Sequence, residues 1–220
     1  TNAELKRADG EAGNFSVTIT RRARYVNREK CTGCGICAQK CPIEAIDEFN
    51  QGLGDRGSIF VKYPQAVPLT YMIDREKCIG CGTCQEVCKA GAVMYDDKEE
   101  ETVLSVGSII LAPGFEEFDP SLKGEYGYGR YPNVVSSIEF ERILSASGPY
   151  GGIVLRPSDG EIPRKIGFIQ CVGSRDAQIG NNYCSSACCM YGMKEAVIAK
   201  EHTRGVQCTI FFMDIRAYGK

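Results

Sequence analysis

The chain has 220 residues, of which 43% are hydrophobic, enough for one large domain or two modest ones with separate cores. Lysine and arginine together number 26 against 28 aspartates and glutamates, so no basic field points to nucleic acid or anionic lipid. No signal peptide and no apolar run near the roughly 18 to 20 residues of a membrane span is found. The 13 cysteines are clustered, unlike a disulfide framework, which predicts a reducing, anoxic, cytoplasmic setting.

Alternating apolar and polar residues predict two strands that flank a cysteine-rich segment. The first is FSVTIT at Phe15–Thr20, and the second is TVLSV at Thr102–Val106. An economical arrangement pairs these strands in one sheet, with the cysteine-rich segment inserted into their connection. The apolar run SIILA at Ser108–Ala112 predicts a further strand directly afterwards.

The C-terminal part of the chain predicts a strand–helix–strand unit. A short helix is predicted at Ser137–Ser145, followed by a strand at Lys165–Val172, a helix at about Ser186–His202 and a strand at Gln207–Met213. Strand, helix and strand in this order predict a parallel pair joined by a right-handed crossover.

Eight cysteines form two copies of the spacing C-x2-C-x2-C-x3-C, which is typical of ferredoxins with two 4Fe-4S clusters. In this pattern the fourth cysteine of each run binds the cluster of the other run. The predicted ligands are Cys31, Cys34, Cys37 and Cys88 for one cluster, and Cys78, Cys81, Cys84 and Cys41 for the other. Glycine stands at Gly33, Gly35, Gly80 and Gly82, where tight turns aim N–H groups at the cluster sulfurs. A zinc site, the alternative, does not explain the third cysteine of each run.

Two features depart from the ferredoxin pattern. Pro42 follows Cys41 as the pattern expects, but Lys89 follows Cys88, which predicts a more open site there or a shifted potential. The connection between the runs contains an insertion, residues 49–77, that a minimal ferredoxin does not need. Its sequence leaves open whether it is a docking surface or a packed excursion.

A second cysteine group lies between the end of the strand predicted at Lys165–Val172 and the start of the helix that follows it. Its members are Cys171, Cys184, Cys188 and Cys189. A dinucleotide-binding unit places its glycine loop at this position, but G-x-G-x-x-G is missing, which argues against nicotinamide binding in this half. A helix N-terminus favours negative charge, and a cluster held by four thiolates is an anion. From spacing alone, a third 4Fe-4S cluster, a zinc site, a redox-active disulfide and buried thiols remain open.

Three other features are interpreted as structural. Cys208, on the final predicted strand, is most simply a core residue. The basic run at Arg21, Arg22 and Arg24 is predicted to be a solvated face or strand end rather than a docking site for an acidic ferredoxin. His202 falls near the predicted end of a helix, where a cation suits the helix dipole.

Several further segments carry a resemblance to a known family. They are PQAVPL, ILAPGFEEFDP, EYGYGRYP, RPSDG, FIQCVGSRD, YCSSACCMYGMKEA and FFMDIRAYGK. Together with the two cysteine runs, they resemble the A subunit of heterodisulfide reductase, which is the flavin and iron-sulfur subunit of methanogens and related anaerobes, through nearly the whole chain.

The resemblance implies a mixed α+β and α/β fold. A bacterial two-cluster ferredoxin domain is inserted into a partial thioredoxin-reductase-like (FAD/NAD-type) α/β domain. The implied segments are a strand segment of the FAD-type domain at 1–26, the inserted ferredoxin domain at 27–98, the FAD-type domain continued at 99–164, and a partial Rossmann-like unit with a third cluster at 165–220. Because the chain starts at Thr1 without an initiator methionine, we expect an excerpt of a longer protein.

The resemblance also implies cofactors. A third cluster is implied on Cys171, Cys184, Cys188 and Cys189, giving three 4Fe-4S clusters. FAD is implied for the full-length protein, where it divides an electron pair between a high-potential path to the disulfide and a low-potential path to a ferredoxin. Ala112, Pro113 and Gly114 resemble a strand-end motif that passes close to FAD, with proline where threonine is usual. No catalytic residue is expected, because the disulfide is reduced on another subunit.

The implied partners are other heterodisulfide reductase subunits, a hydrogenase or formate dehydrogenase, and ferredoxin, in a homodimer of the larger complex. The predicted function is therefore electron transfer in a flavin-based bifurcating enzyme that couples CoM-S-S-CoB reduction to ferredoxin reduction. One alternative is a homologous subunit of a quinone- or sulfur-metabolism-linked complex. Another, from a different class, is a structural zinc-binding scaffold.

Overall fold

The computed structural model describes residues 2–217, so Thr1 and residues 218–220 lie outside the described part. The chain divides into two units, residues 1–49 with 55–114 and residues 50–54 with 115–220. Helices and strands are mixed in both, in agreement with the predicted class. Between residues 2 and 217, none of the helices has the length and apolar character that crossing a bilayer requires.

Nine strands and four α-helices follow one another along residues 2–217. The strands are β1 (Ala3–Glu11), β2 (Asn14–Arg21), β3 (Ala45–Ile46), β4 (Asp55–Arg56), β5 (Ile59–Phe60), β6 (Met72–Ile73), β7 (Glu100–Val106), β8 (Lys165–Ile169) and β9 (Gln207–Phe211). The α-helices are α1 (Ile36–Gln39), α2 (Thr83–Glu86), α3 (Ser137–Leu144) and α4 (Cys188–His202). Short 3₁₀ turns occur at Glu48–Asn50, Pro120–Leu122, Gly124–Tyr126 and Ala177–Ile179.

An antiparallel sheet in the order β1-β2-β7 opens the first unit. Strand β2 pairs with β7 from Phe15 opposite Val106 to Arg21 opposite Glu100. The predicted pairing of the two strands that flank the cysteine-rich segment is therefore confirmed. Val17 is the buried position of β2, whereas every residue of β1 is exposed.

The cysteine-rich segment is built from two similar halves. Residues 27–31 read NREKC and residues 74–78 read DREKC. Asn27 Oδ1 accepts a hydrogen bond of 2.9 Å from the Glu29 N–H, and Asp74 Oδ1 accepts one of 3.1 Å from the Glu76 N–H. Such side-chain turns lead the chain into each cysteine run in the same way.

A small apolar core lies between the two halves. Its buried members are Val26, Ile59, Ile73, Ala92 and Val93, and Cys31, Cys37, Cys41, Cys78, Cys84 and Cys88 pack against it. Val26 forms an antiparallel bridge with Val93, and β5 pairs with β6. The cysteines are therefore held from one side by a packed interior.

The predicted strand at Ser108–Ala112 is wrong. Strand β7 ends at Val106, and the backbone that follows belongs to no described strand. Ile110 and Leu111 are 92% and 80% exposed. An apolar run becomes a buried strand only where a neighbouring strand pairs with its backbone, and no strand of residues 2–217 pairs with this segment.

The predicted strand–helix–strand unit is confirmed in the second unit. Strand β8 pairs in parallel with β9, from Lys165 opposite Gln207 to Ile169 opposite Phe211. Helix α4 lies between them in sequence and begins two residues later than predicted, at Cys188. Both strands also end sooner than predicted.

Helices α3 and α4 pack with β8 to form the core of this unit. Its buried members are Phe140, Ile143, Leu144, Val154, Phe168, Ala196 and Ala199, and Cys208 packs against them as predicted. The rings of Phe140 and Phe168 meet edge to face, with 5.6 Å between their centroids. Helix α3 starts with a capping box, in which Ser136 and Glu139 satisfy each other's backbone N–H groups.

Glu195 of α4 is a buried carboxyl in this unit. Its side chain accepts a hydrogen bond of 2.6 Å from the Ser137 hydroxyl. Burial raises the pKa of Glu195 to about 7, against the opposing effect of the Ser137 hydrogen bond. The carboxyl is therefore partly protonated near neutral pH, which reduces the cost of burying it.

Candidate metal centres

Two loops present the first three cysteines of each run, and they share one backbone conformation. We call residues 31–37 the first cysteine loop and residues 78–84 the second cysteine loop. The φ angles are 70° at Gly33, 80° at Gly35, 72° at Gly80 and 78° at Gly82. Glycine adopts this left-handed region without strain, which explains its presence at matching positions of both loops. Each loop then continues into a one-turn helix, α1 or α2.

One recess of the first unit brings four cysteines together. Its lining includes Cys41, Cys78, Cys81 and Cys84. The fourth cysteine of the first run thus lies beside the first three cysteines of the second run. That Cys41 shares a cluster with the second loop stays a prediction, but the side chains it requires line one recess.

The sulfur atoms at this recess have polar neighbours. The Gly80 N–H donates to Cys78 Sγ at 3.4 Å, and Tyr95 Oη lies 3.4 Å from Cys84 Sγ. Ser58 Oγ lies 3.4 Å from Cys41 Sγ. Hydrogen bonds of this kind stabilise a thiolate and, where a cluster is bound, influence its potential.

Thr83 has a direct effect on Cys81 at the same recess. The hydrogen bond with the Thr83 side chain is the main cause of a lowered pKa of the Cys81 thiol. Metals bind the thiolate, so this contact favours the form of Cys81 that is able to act as a ligand. Cys81 is also exposed, as is Cys34 in the first loop.

The fourth cysteine of the second run lies near the first cysteine loop. The Ala92 N–H donates to Cys88 Sγ at 3.4 Å. The Ala92 carbonyl accepts a hydrogen bond of 2.7 Å from Asn27, whose own carbonyl accepts one of 3.0 Å from the Cys31 N–H. Backbone hydrogen bonds therefore tie the residues that follow Cys88 to those that precede Cys31, the same crossed arrangement as at the recess.

At Cys37 of the first cysteine loop, metal binding is coupled to loss of the thiol proton. Burial raises the pKa of its thiol to about 11, against a hydrogen bond from the Ala38 N–H. A coordinating metal deprotonates such a thiol outright. Metal binding at this loop is therefore expected to release protons.

Three of the four cysteines of the second group converge at the end of β8. Burial is the main cause of the raised pKa of Cys171, followed by the charge of Cys188; Cys189 adds to it, and Arg175 opposes it. Cys188 and Cys189 form the buried first turn of α4. The Arg216 N–H donates to Cys189 Sγ at 3.4 Å.

Cys184 lies at the end of a loop that turns back on itself toward the end of β8. Backbone hydrogen bonds join Arg175 to Tyr183 at 2.8 Å and Asp176 to Asn181 at 2.8 Å, so the loop doubles back. The Ser186 N–H donates to Cys184 Sγ at 3.4 Å, and the Ser186 hydroxyl donates to the Cys184 carbonyl at 3.4 Å, so both contacts are local.

The backbone around the second cysteine group is strained. Non-glycine residues have positive φ at Cys171 (63°), Arg175 (53°) and Ser186 (60°). Each costs free energy on the order of 1 kcal/mol or more, and such residues are concentrated at functional sites. Three such positions lie in this one loop, and the other one described in the same unit is Gln51 (57°).

Among residues 2–217, no three His, Cys, Asp or Glu side chains approach one another as closely as a single metal ion requires. A four-iron cluster makes a different demand, because each cysteine binds a different iron atom. Ala112, Pro113 and Gly114, the residues that resemble a flavin-proximal motif, lie in the exposed segment after β7. Their role stays a prediction.

Sequence reasoning missed the side chains that surround the cysteine loops. Ser58 and Tyr71 contact a cysteine or a cysteine loop from within the insertion, and Tyr95 contacts Cys84 from beyond the second run. For Ser58 and Tyr71 the only signal was the length of the insertion, which showed that extra chain was present without showing where it packs.

Comparison with known proteins assigns a class to this site. Residues 30–93 match the family model described as a 4Fe-4S dicluster domain, and this range contains both cysteine runs. Together with the two matching loops, this defines the segment as an iron-sulfur domain. The chain therefore contains a domain of the iron-sulfur class.

The relatives narrow the class to one kind of subunit. The iron-sulfur A subunit of CoB--CoM heterodisulfide reductase from Methanocaldococcus jannaschii is 52% identical over 220 residues, which is 100% of this chain and 34% of that protein. The A subunit of H(2)/formate:CoB-CoM heterodisulfide,ferredoxin reductase from Methanococcus maripaludis is 55% identical over 100% of this chain and 33% of its own length. The A subunit of ferredoxin:CoB-CoM heterodisulfide reductase from Methanosarcina mazei is 43% identical over 100% of this chain and 28% of its length.

These matches confirm the resemblance to the A subunit of heterodisulfide reductase along the whole chain. The chain spans about a third of the length of the first relatives it matches.

Proposed function

We propose that this chain is an electron-transfer segment of a heterodisulfide reductase. The observation that carries the proposal is the recess lined by Cys41, Cys78, Cys81 and Cys84, which unites cysteines from both runs. A 4Fe-4S cluster, when bound, accepts or donates one electron at a time. Its ligands at this recess are these four cysteines, with Cys31, Cys34, Cys37 and Cys88 at the other site of the dicluster domain.

The chain's own residues supply three contributions at these sites. Thiolates hold the iron, and the N–H groups and hydroxyls beside the sulfurs stabilise negative charge on them. The apolar core centred on Ile59 and Ile73 keeps water from one side of the cysteines. Burial of this kind is one of the factors that set the potential of such a centre.

A third cluster on Cys171, Cys184, Cys188 and Cys189 belongs to the proposal. It is supported by the convergence of Cys171, Cys188 and Cys189, by the strained loop and by the family resemblance. A helix of 15 residues begins at Cys188, and its N-terminus favours an anion. The same position holds a phosphate in dinucleotide-binding units.

In this proposal the dicluster domain is an insertion in a thioredoxin-reductase-like FAD-type domain. Support comes from the pairing of β2 with β7 across the cysteine-rich segment. The strand segment of the FAD-type domain is 1–26, the inserted dicluster domain is 27–98, the FAD-type domain continues at 99–164, and the partial Rossmann-like unit is 165–220. The full-length protein binds FAD, with Ala112–Gly114 nearby.

For the whole enzyme we propose flavin-based bifurcation in the cytoplasm, with the CoB-CoM heterodisulfide and ferredoxin as acceptors. The name of the Methanococcus maripaludis relative pairs H(2) or formate with both of these acceptors, which supports a hydrogenase or formate dehydrogenase as partner. The remaining reductase subunits complete the assembly.

Anaerobic reconstitution with iron and sulfide tests the proposal. Three 4Fe-4S clusters predict about twelve iron atoms and about twelve acid-labile sulfides per chain. A protein that retains mainly zinc after the same treatment would contradict it and favour the structural scaffold.

A further inference from the structure

The two cysteine loops share a conformation but not their surroundings. A side-chain Cβ placed at Gly33 would lie 2.9 Å from Leu69 Cδ2 and 2.9 Å from the Leu69 carbonyl oxygen. At Gly35 it would lie 3.0 Å from Tyr71 Oη. The first cysteine loop is therefore covered by Leu69 and Tyr71, which belong to the insertion.

The matching glycines of the second cysteine loop have no such contact. A Cβ placed at Gly80 or Gly82 meets no atom of the described residues within 4 Å. Ile79 of this loop is 68% exposed. The difference is a property of the surroundings, because the φ angles of the paired glycines agree within a few degrees.

The covering segment is fixed in place. Thr70, between Leu69 and Tyr71, is 2% exposed, and its N–H donates to the Pro68 carbonyl at 2.9 Å. Arg24 Nη1 donates to the Thr70 carbonyl at 3.0 Å. The Arg24 carbonyl in turn accepts a hydrogen bond of 3.0 Å from the Ile73 N–H. A segment tied down on both sides maintains its contact with the loop.

We propose that the segment Pro68–Tyr71 shields the first iron-sulfur site from water and so lowers the reduction potential of that site. The inference rests on the proposed function, since it needs a cluster at each loop. One-electron reduction makes a thiolate-bound cluster more negative, and water stabilises the added charge. Excluding water on one loop makes reduction there less favourable, in accord with the dependence of such potentials on solvent exposure.

Leu69→Ala in the full-length subunit tests the inference. In an anaerobic, EPR-monitored reductive titration with dithionite, the first cluster is expected to become easier to reduce. The ratio of reduced to oxidised first cluster at a fixed potential should rise about tenfold, which is a shift of about 59 mV for a one-electron couple. The second cluster should titrate as before.

Val67→Ala is the matched control. Val67 lies two residues before Leu69, directly before the segment Pro68–Tyr71, and is 84% exposed, so its truncation removes no cover. Leu69→Asn, which keeps the shape and adds a polar amide, is expected to shift the first cluster in the same direction and serves if the alanine variant does not fold. An unchanged first cluster in the folded Leu69 variants, or an equal shift in Val67→Ala, would overturn the inference.

The titration separates this inference from the proposed function. If the unmodified protein shows no pair of dicluster signals, the proposed function itself fails. If both signals are present and only the expected shift is missing, the function stands and the shielding role of Pro68–Tyr71 is wrong.

Discussion

Replacing Cys41 with alanine is expected to remove the cluster of the second cysteine loop and to spare that of the first. Iron should fall from about twelve to about eight atoms per chain, because a 4Fe-4S cluster depends on all four of its thiolates. Cys41 lies close in sequence to the first loop, so an assignment by proximity along the chain would place it at the first cluster instead. The recess, however, joins it to Cys78, Cys81 and Cys84.

The controls for Cys41→Ala come from the loops themselves. Cys81→Ala should abolish the same EPR signal as Cys41→Ala, and Cys34→Ala should abolish the same signal as Cys88→Ala. Iron analysis and EPR of the reduced proteins measure both effects. If Cys41→Ala instead matches Cys34→Ala, each run holds its own cluster and the crossed assignment is wrong.

Replacing Cys188 with alanine is expected to remove the third cluster alone. Iron should again fall from about twelve to about eight atoms per chain, while the two EPR signals of the dicluster domain persist. Cys188 is buried in the first turn of α4 beside Cys171, so its loss opens the ligand set at the centre of the site.

Cys208→Ala is the matched control for Cys188→Ala. Cys208 lies on β9 of the same unit, packs against the core, and contacts the Ala196 carbonyl. Its replacement should leave the iron content unchanged. A Cys188→Ala protein that keeps its full iron content would show that the second cysteine group holds no cluster.

The elements that follow from local patterns were predictable. The alternation of β2 and β7 and the order of β8, α4 and β9 are properties of short windows, and the structure has both. Helix α4 ends at His202, as predicted, and the Nδ1 atom of His202 lies 2.8 Å from the Gly152 carbonyl oxygen. Window patterns carry this information because they reflect the periodicity of the backbone itself.

Long-range partners were not predictable. The basic run was predicted to be a solvated face or strand end. This holds for Arg21 and Arg22, which are exposed at the end of β2, but it is wrong for Arg24, which is 7% exposed and donates to the Thr70 carbonyl. The sequence shows the charge of Arg24 but not the carbonyl 46 residues away that makes its burial tolerable. The strand expected at Ser108–Ala112 failed for the same reason, since pairing depends on a neighbour that the pattern does not contain.

At the candidate sites, too, some features were predictable from local sequence and others were not. Spacing alone identified the two cysteine runs, which the dicluster family model also matches at residues 30–93. The asymmetry between the runs came only from the structure, because Leu69 and Tyr71 reach the first loop from a distant part of the chain. Of the two interpretations of residues 49–77, a packed excursion agrees with the buried Ser58, Ile59 and Thr70.

An anomalous scattering map at the iron edge, recorded from anaerobically grown crystals, tests the central claim most directly. We expect one iron cluster among Cys41, Cys78, Cys81 and Cys84, and another among Cys31, Cys34, Cys37 and Cys88. A third should lie among Cys171, Cys184, Cys188 and Cys189. An iron cluster bound to Cys31, Cys34, Cys37 and Cys41, or no iron signal at the dicluster segment, would contradict the crossed assignment.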